Sequence, residues 1–125
     1  MAKADAYRAV VDALDRMVNR GDEADDVLRA VVALLHERVP GCSRAAISLV
    51  EDDTLVLGPS RGSIGPGSSV VVPIEYEGRG VGQLGLQSEA RTLDDEDRRS
   101  LERIATLISQ HALVAWDTRG ERWDP

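Results

Sequence analysis

The chain has no phenylalanine, and its two tyrosines and two tryptophans make up an aromatic share of only 3%. Any core must therefore be built from Val, Leu, Ile and Ala, which bury less area per side chain, so that added burial between two copies would help. Cysteine is also scarce: Cys42 stands alone, which excludes an internal disulfide and every Cys-pair metal motif. Basic charge is in deficit, with 15 Lys and Arg against 22 Asp and Glu and a formal net charge of −7. Such a surface repels phosphate backbones and anionic lipid, so neither nucleic acid nor membrane is expected as a direct partner. No apolar run reaches signal-peptide or membrane-spanning length, and a reducing cytoplasm is the expected location.

What is present falls into a clear order. Tyr7, Val10, Val11, Leu14, Met17 and Val18 recur at helical spacing up to Gly21. Asp22 offers an N-cap for a second helix, whose stripe includes Ala24, Val27, Leu28, Val31 and Leu35 before Pro40 and Gly41 stop it. "AAISLV" (45–50) and "TLVL" (54–57) then read as strands joined by Glu51, Asp52 and Asp53. Residues 69–76 and 81–88 read as a second hairpin across "EGRG", with Pro73 pointing to an edge position or a bulge. Thr92, three residues before Asp95, resembles a capping-box start, and "DDEDRR" reads as a solvated first turn of a long last helix. Its apolar positions, from Leu101 through Ala115, are too broad for one stripe and call for a second surface to cover them. The expected architecture is α+β: a four-stranded antiparallel sheet with two N-terminal helices and one long C-terminal helix on a single face, over residues 1–116, followed by a polar tail, 117–125.

The motifs that could carry chemistry fail on their surroundings. Gly80, Gly82 and Gly85 satisfy G-x-G-x-x-G, but they begin and continue a strand, whereas a dinucleotide site needs them to open a helix. The stretch 58–69, rich in Gly, Ser and Pro, has no lysine and leads into "VVVPI", which excludes a Walker-type phosphate loop. Arg61 is the one charged residue within it, able to meet an anion together with backbone amides. His36 and His111 lie on different helices without partners at ligand spacing, so no metal site is expected. His36 suits the negative end of its helix, and His111 suits a helix interface. Cys42, just before the first strand, reads as a small buried thiol.

The run "VVVPIEYEGRGVGQLGLQSEARTLDDEDRRSLERIATLISQHAL" resembles the closing half of a GAF domain: a Val-Pro-Ile strand, a Gly turn, a "VGxLxLxS" strand and an acidic helix start. "LVLGPSRG" is similar to the branch of free methionine-R-sulfoxide reductases. In that branch the reactive cysteines lie between the second strand and the Val-Pro-Ile strand. Here that region has shortened to residues 58–69 without a cysteine, and Cys42 matches none of those positions. The resemblance thus implies the fold and argues against the activity. It also implies that the lid which closes a ligand pocket in such domains is missing. Ile47, Leu49, Val70, Val72, Ile74, Leu84 and Leu86 alternate toward the helices, while Ser48, Glu75, Gln83 and Gln87 fall on the other face. Gln83 stands where the family more often carries an apolar residue.

These readings converge on a non-enzymatic GAF-like regulatory or interaction module of signal transduction, without a cofactor and homodimeric through its first and last helices. A small-molecule sensor is the alternative, with Ser48, Arg61, Gln83 and Gln87 as polar contacts on the open face. An altered reductase working through Cys42 is the third. The tail with Trp123 is a further candidate to cover the open face.

Overall fold

In a computed structural model, which describes residues 3–116, α1 (Lys3–Arg20) and α2 (Ala24–Arg38) precede β1 (Cys42–Glu51) and β2 (Thr54–Gly62). β3 (Ser68–Tyr76), β4 (Arg79–Ser88) and α3 (Asp95–Trp116) follow. The proposed covering role of Trp123 lies outside the described residues. All pairings are antiparallel and the strand order is β2-β1-β4-β3, so the two hairpins meet through the first strand of one, β1, and the second strand of the other, β4. Each hairpin closes on a two-residue turn in the left-handed region. Asp52 and Asp53 sit at φ 49° and 63°, and Glu77 and Gly78 at 52° and 79°. This is the turn whose twist matches that of the flanking strands.

Alternation places Ala45, Ile47 and Leu49 of β1, Val70, Val72 and Ile74 of β3, and Leu84 and Leu86 of β4 in the core, none more than 6% exposed. The face expected for the helices is therefore the one they cover. α2 lies over β1 and β2, α3 over β3 and β4, and α1 packs on α2 and more lightly on α3. Val10, Leu14, Leu28, Leu35, Leu101, Ile104 and Ile108 close the helical side without any solvent exposure. Pro73 sits in β3, an edge strand, one residue from a register shift at Ile74/Glu75, where its missing N–H has no ladder to break.

Three local expectations are corrected. β2 runs on to Gly62, five residues beyond Leu57, so the true connector to β3 is only residues 63–67. The register passes from Ser48↔Leu57 to Ala46↔Ser60, an extra residue on β2 that makes a bulge around Gly58 and Pro59. Gly58 lies so close to β1 that an added Cβ would stand 2.9 Å from the Ile47 carbonyl oxygen. Gly62, at φ 91°, would drive a Cβ into the Ser43 carbonyl. The glycines that read as loop are what lets this edge strand press against its neighbour. Next, Glu23 and not Asp22 is the N-cap residue of α2, and it makes no side-chain capping bond. The Asp22 carboxylate is instead taken by Arg20 at 2.6 and 2.9 Å. Finally, α3 is capped by Asp94 and not by Thr92. Asp94 Oδ1 accepts the Asp97 N–H at 3.2 Å, and Asp97 Oδ2 accepts the Asp94 N–H at 2.9 Å, a reciprocal box built from two aspartates.

Candidate functional site

The face of the sheet turned away from the helices carries three rungs of cross-strand neighbours. The first is Arg44, Gln87 and Ser69; the second is Ala46, Gly85 and Val71; the third is Leu57, Ser48, Gln83 and Pro73. The middle rung has little side chain at Ala46 and none at Gly85, so the longer residues on either side form a shallow depression of about 190 Å³. Leu57 and Val71 stand 53% and 48% exposed at its margins. Gln87 turns its Oε1 into a position with neither solvent nor a hydrogen-bond partner, an acceptor left open in this depression.

Ser48, Gln83 and Gln87 therefore come together, and Arg61 does not join them. Arg61 pairs with Ala45, a core residue of the helix-covered face, and is absent from the lining. The β2 bulge shifts the alternation between Leu57 and Ser60 and takes Arg61 off the face that a regular strand would have given it. Arg44 is the cation that the structure supplies instead. Its position was readable, two residues before Ala46 and four before Ser48 on the same alternation, but only once the first strand is begun at Cys42.

The ionisable groups elsewhere are organised around Asp97, whose side chain has no solvent exposure although the "DDEDRR" run reads as a solvated turn. Arg91 donates to both carboxylate oxygens at 3.0 Å, the Tyr7 hydroxyl donates at 2.6 Å, and Lys3 reaches Oδ2 at 3.3 Å. Burial alone would push this carboxyl up. The hydrogen bonds from Arg91, Tyr7 and the Asp94 backbone outweigh it and hold the group well below the usual carboxylate range. Tyr7 moves up, by burial first and then by the Asp97 carboxylate. Arg91 Nε also donates to the Pro40 carbonyl at 2.8 Å, so one cluster ties α1, the α2–β1 turn and the start of α3. Ser68 and Ser88 hold the segment before it: Ser88 Oγ accepts from the Ala90 and Arg91 N–H groups, and Ser68 Oγ accepts the Leu93 N–H at 2.9 Å.

Cys42 opens β1, half-buried, opposite Ser88 and away from the depression. Burial pushes its thiol up to about 11, only partly countered by a backbone hydrogen bond at Arg44 and the charge of Arg91. At pH 7 about one molecule in ten thousand would carry the thiolate. Cys42 in the folded chain is expected to react with a disulfide reagent at pH 7.5 at least tenfold more slowly than in the urea-unfolded chain. A native rate equal to the unfolded one would show the thiol to be active. His111 is half-buried on α3, its Nδ1 without a partner, and burial lowers its basicity. Among the described residues no group of three or more His, Cys, Asp or Glu side chains could hold a metal ion, and no helix is long and apolar enough to cross a membrane.

No protein-family model matches the sequence, and no curated protein matches it either. Solved structures do. A putative GAF sensor protein from Burkholderia vietnamiensis superposes with a TM-score of 0.79 at 18% identity, over 94% of this chain and 99% of the other. The free methionine-R-sulfoxide reductase of Neisseria meningitidis, in complex with its substrate, gives 0.76 at 23% identity, over 94% and 95%. The GAF domain of a phosphoenolpyruvate-protein phosphotransferase from Coxiella burnetii gives 0.75 at 15% identity, over 94% and 98%. The chain therefore has the GAF-like α+β fold, and its neighbours in that fold include both sensor domains and reductases.

Proposed function

We propose that this chain is a non-catalytic regulatory or interaction module of signal transduction, working in the cytoplasm as a homodimer through α1 and α3. One observation carries the non-catalytic reading. Among the described residues, the depression on the open sheet face holds Arg44 as its sole ionisable side chain, so it offers no general acid and no base to activate the hydroxyls of Ser48 and Ser69. A reductase mechanism would need a thiolate there, and the single cysteine lies elsewhere with its proton firmly held. The dimer reading rests on apolar side chains that the fold leaves partly uncovered along its terminal helices. Val11 and Val18 on α1, one heptad apart, are half-buried, as is Leu107 on α3, and Val114, seven residues further, is 48% exposed. α1 and α3 start at the same end of the molecule, where Lys3 meets Asp94 and Tyr7 meets Asp97. These positions therefore form parallel rows that a two-fold axis can bring face to face.

Light scattering at micromolar concentration is expected to return twice the chain mass, and Leu107→Asp with Val114→Asp to return the single mass with an unchanged circular dichroism spectrum. A wild-type monomer under those conditions removes the dimer reading.

The second reading, a sensor for a small polar ligand, is favoured by the open acceptor of Gln87 beside Ser48, Gln83 and Arg44. The depression is smaller than the usual 300–1,000 Å³ of small-molecule sites, which ranks this reading second. Thermal-shift screening against amino acids, nucleotides and metabolites distinguishes the two, since a ligand of the native state must raise the melting temperature.

A further inference from the structure

On the opposite side of the molecule a groove of about 270 Å³ runs between the first turns of α1 and α3. Three arginines line it: Arg8 from α1, and Arg99 and Arg103 from α3. In a chain of net charge −7 such a convergence needs a reason. Arg99 and Arg103 are four residues apart, one above the other on the same helix face, where like charges destabilise a helix. Among the described residues neither makes a hydrogen bond or an ion pair. Arg8 has only Asp5 at 3.7 Å, both side chains well exposed, a contact of little energy. The carboxylate that lines the same groove, Glu96, is held by Lys3 at 3.4 Å and does not serve the arginines. Tyr7 forms part of the floor with its hydroxyl already committed to Asp97, while the Ser100 hydroxyl remains as a further donor.

We propose that this groove binds a small phosphorylated compound through its phosphoryl group. Three planar guanidinium forks present more donors and more charge than one carboxylate can use. A phosphoryl group offers three oxygens and close to two negative charges, which matches three arginines. The concave wall concentrates the field of the arginines over the groove, against the repulsion of the surrounding acidic surface. Ala4 leaves an apolar margin for the body that carries the phosphate. The groove is complete within one chain, and the arginines that meet the phosphoryl group are not among the seam residues of the dimer reading, which shares only Val11 with it.

The test is a titration of the full chain with inorganic pyrophosphate at low ionic strength, followed by amide NMR shifts. The expected result is saturation, with the largest shifts at Arg8, Val11, Arg99, Ser100 and Arg103. Arg99→Ala with Arg103→Ala should weaken binding at least tenfold. Lysine at both positions should fall between the two, and Arg79→Ala, which removes one positive charge at the β3–β4 turn, should bind within twofold of wild type. Because the wild-type shifts locate the site by themselves, a variant that failed to fold would leave the test intact. Absence of saturation, shifts spread away from the groove, equal weakening by Arg79→Ala, or saturation by acetate at the same concentrations would each overturn the proposal. So would loss of dimer in the arginine variant without any effect of pyrophosphate, because the arginines would then face carboxylates of a second copy.

Discussion

Asp97→Ala is expected to cost about 3 kcal/mol of stability and to lower the melting temperature by roughly 10 °C, read by calorimetry or by urea titration. The alanine removes an acceptor with no solvent exposure to which Arg91, Tyr7, Lys3 and a backbone N–H all donate. It leaves the Tyr7 hydroxyl and the Arg91 guanidinium without their partner inside the protein. The cost of such orphaned groups exceeds the modest net worth of the bonds themselves. Arg91 keeps a quarter of its side chain in solvent, which holds the cost to the lower end for a broken buried pair. Asp97→Asn, which keeps the shape and one acceptor but not the charge, should lose less. The pH dependence follows from the direction of the shift. The Asp97 carboxyl is depressed in the folded chain, so its contribution is complete above the unfolded value near pH 4 and is lost as pH falls below that. Between pH 5 and 3 the wild type should therefore lose stability more steeply than Asp97→Asn. Parallel curves, or an Asp97→Ala cost under 1 kcal/mol, would mean that the cluster is solvated in solution.

The contrast between Asp97 and its neighbours shows what a sequence can and cannot display. Periodicity reports which side of an element faces the core, so the three helices, the two hairpins and the covered sheet face were legible from Val, Leu and Ile alone. Asp95, Glu96 and Asp97 look alike in a row. Only the arrival of Arg91 and Tyr7, from segments six and ninety residues away, makes one of them the centre of a buried network. The sheet site was legible to the same degree. Ser48, Gln83 and Gln87 share a face because β1 and β4 keep their alternation through that region, whereas Arg61 lies beyond a bulge that no period announces. Arg44 was overlooked because the first strand starts three residues earlier than its apolar run. Cys42 and Ser43 carry no β signal of their own, and their pairing is imposed by the neighbouring strands.

Gly82→Ala is expected to be a second severe substitution, at about 2–4 kcal/mol, with Gly80→Ala within about 0.5 kcal/mol of wild type. Both glycines belong to the same G-x-G-x-x-G run, and they differ only in what lies next to them. Gly82 is in a central strand, opposite Leu49 on one side and Ile74 on the other. A Cβ there would run into the Ser48 carbonyl, which the β1–β4 ladder holds in place, and would also meet Ile74 Cδ1 at 3.6 Å. Backbone cannot yield as a side chain does, so the two central strands would have to separate or lose register. Gly80 has nothing within 4 Å of an added Cβ and stands at the exposed start of β4. Gly85 would meet Val71 Cγ2 at 3.6 Å and the Ala46 and Val70 carbonyl oxygens at 3.9 Å, all ordinary contacts, on the floor of the open-face depression. Gly85→Ala should therefore fold normally while filling the depression that the sensor reading assigns to its ligand. The order of cost, Gly82 far above Gly85 and Gly80, is that of glycines placed by strand packing. A phosphate-cradling loop would show the reverse: small changes in stability at all three positions and loss of nucleotide binding at each. Urea titration of the three single variants distinguishes these patterns. If Gly82→Ala melted with the wild type, the ladder could relax around it, and the close approach of β4 to β1 would not be what requires glycine there.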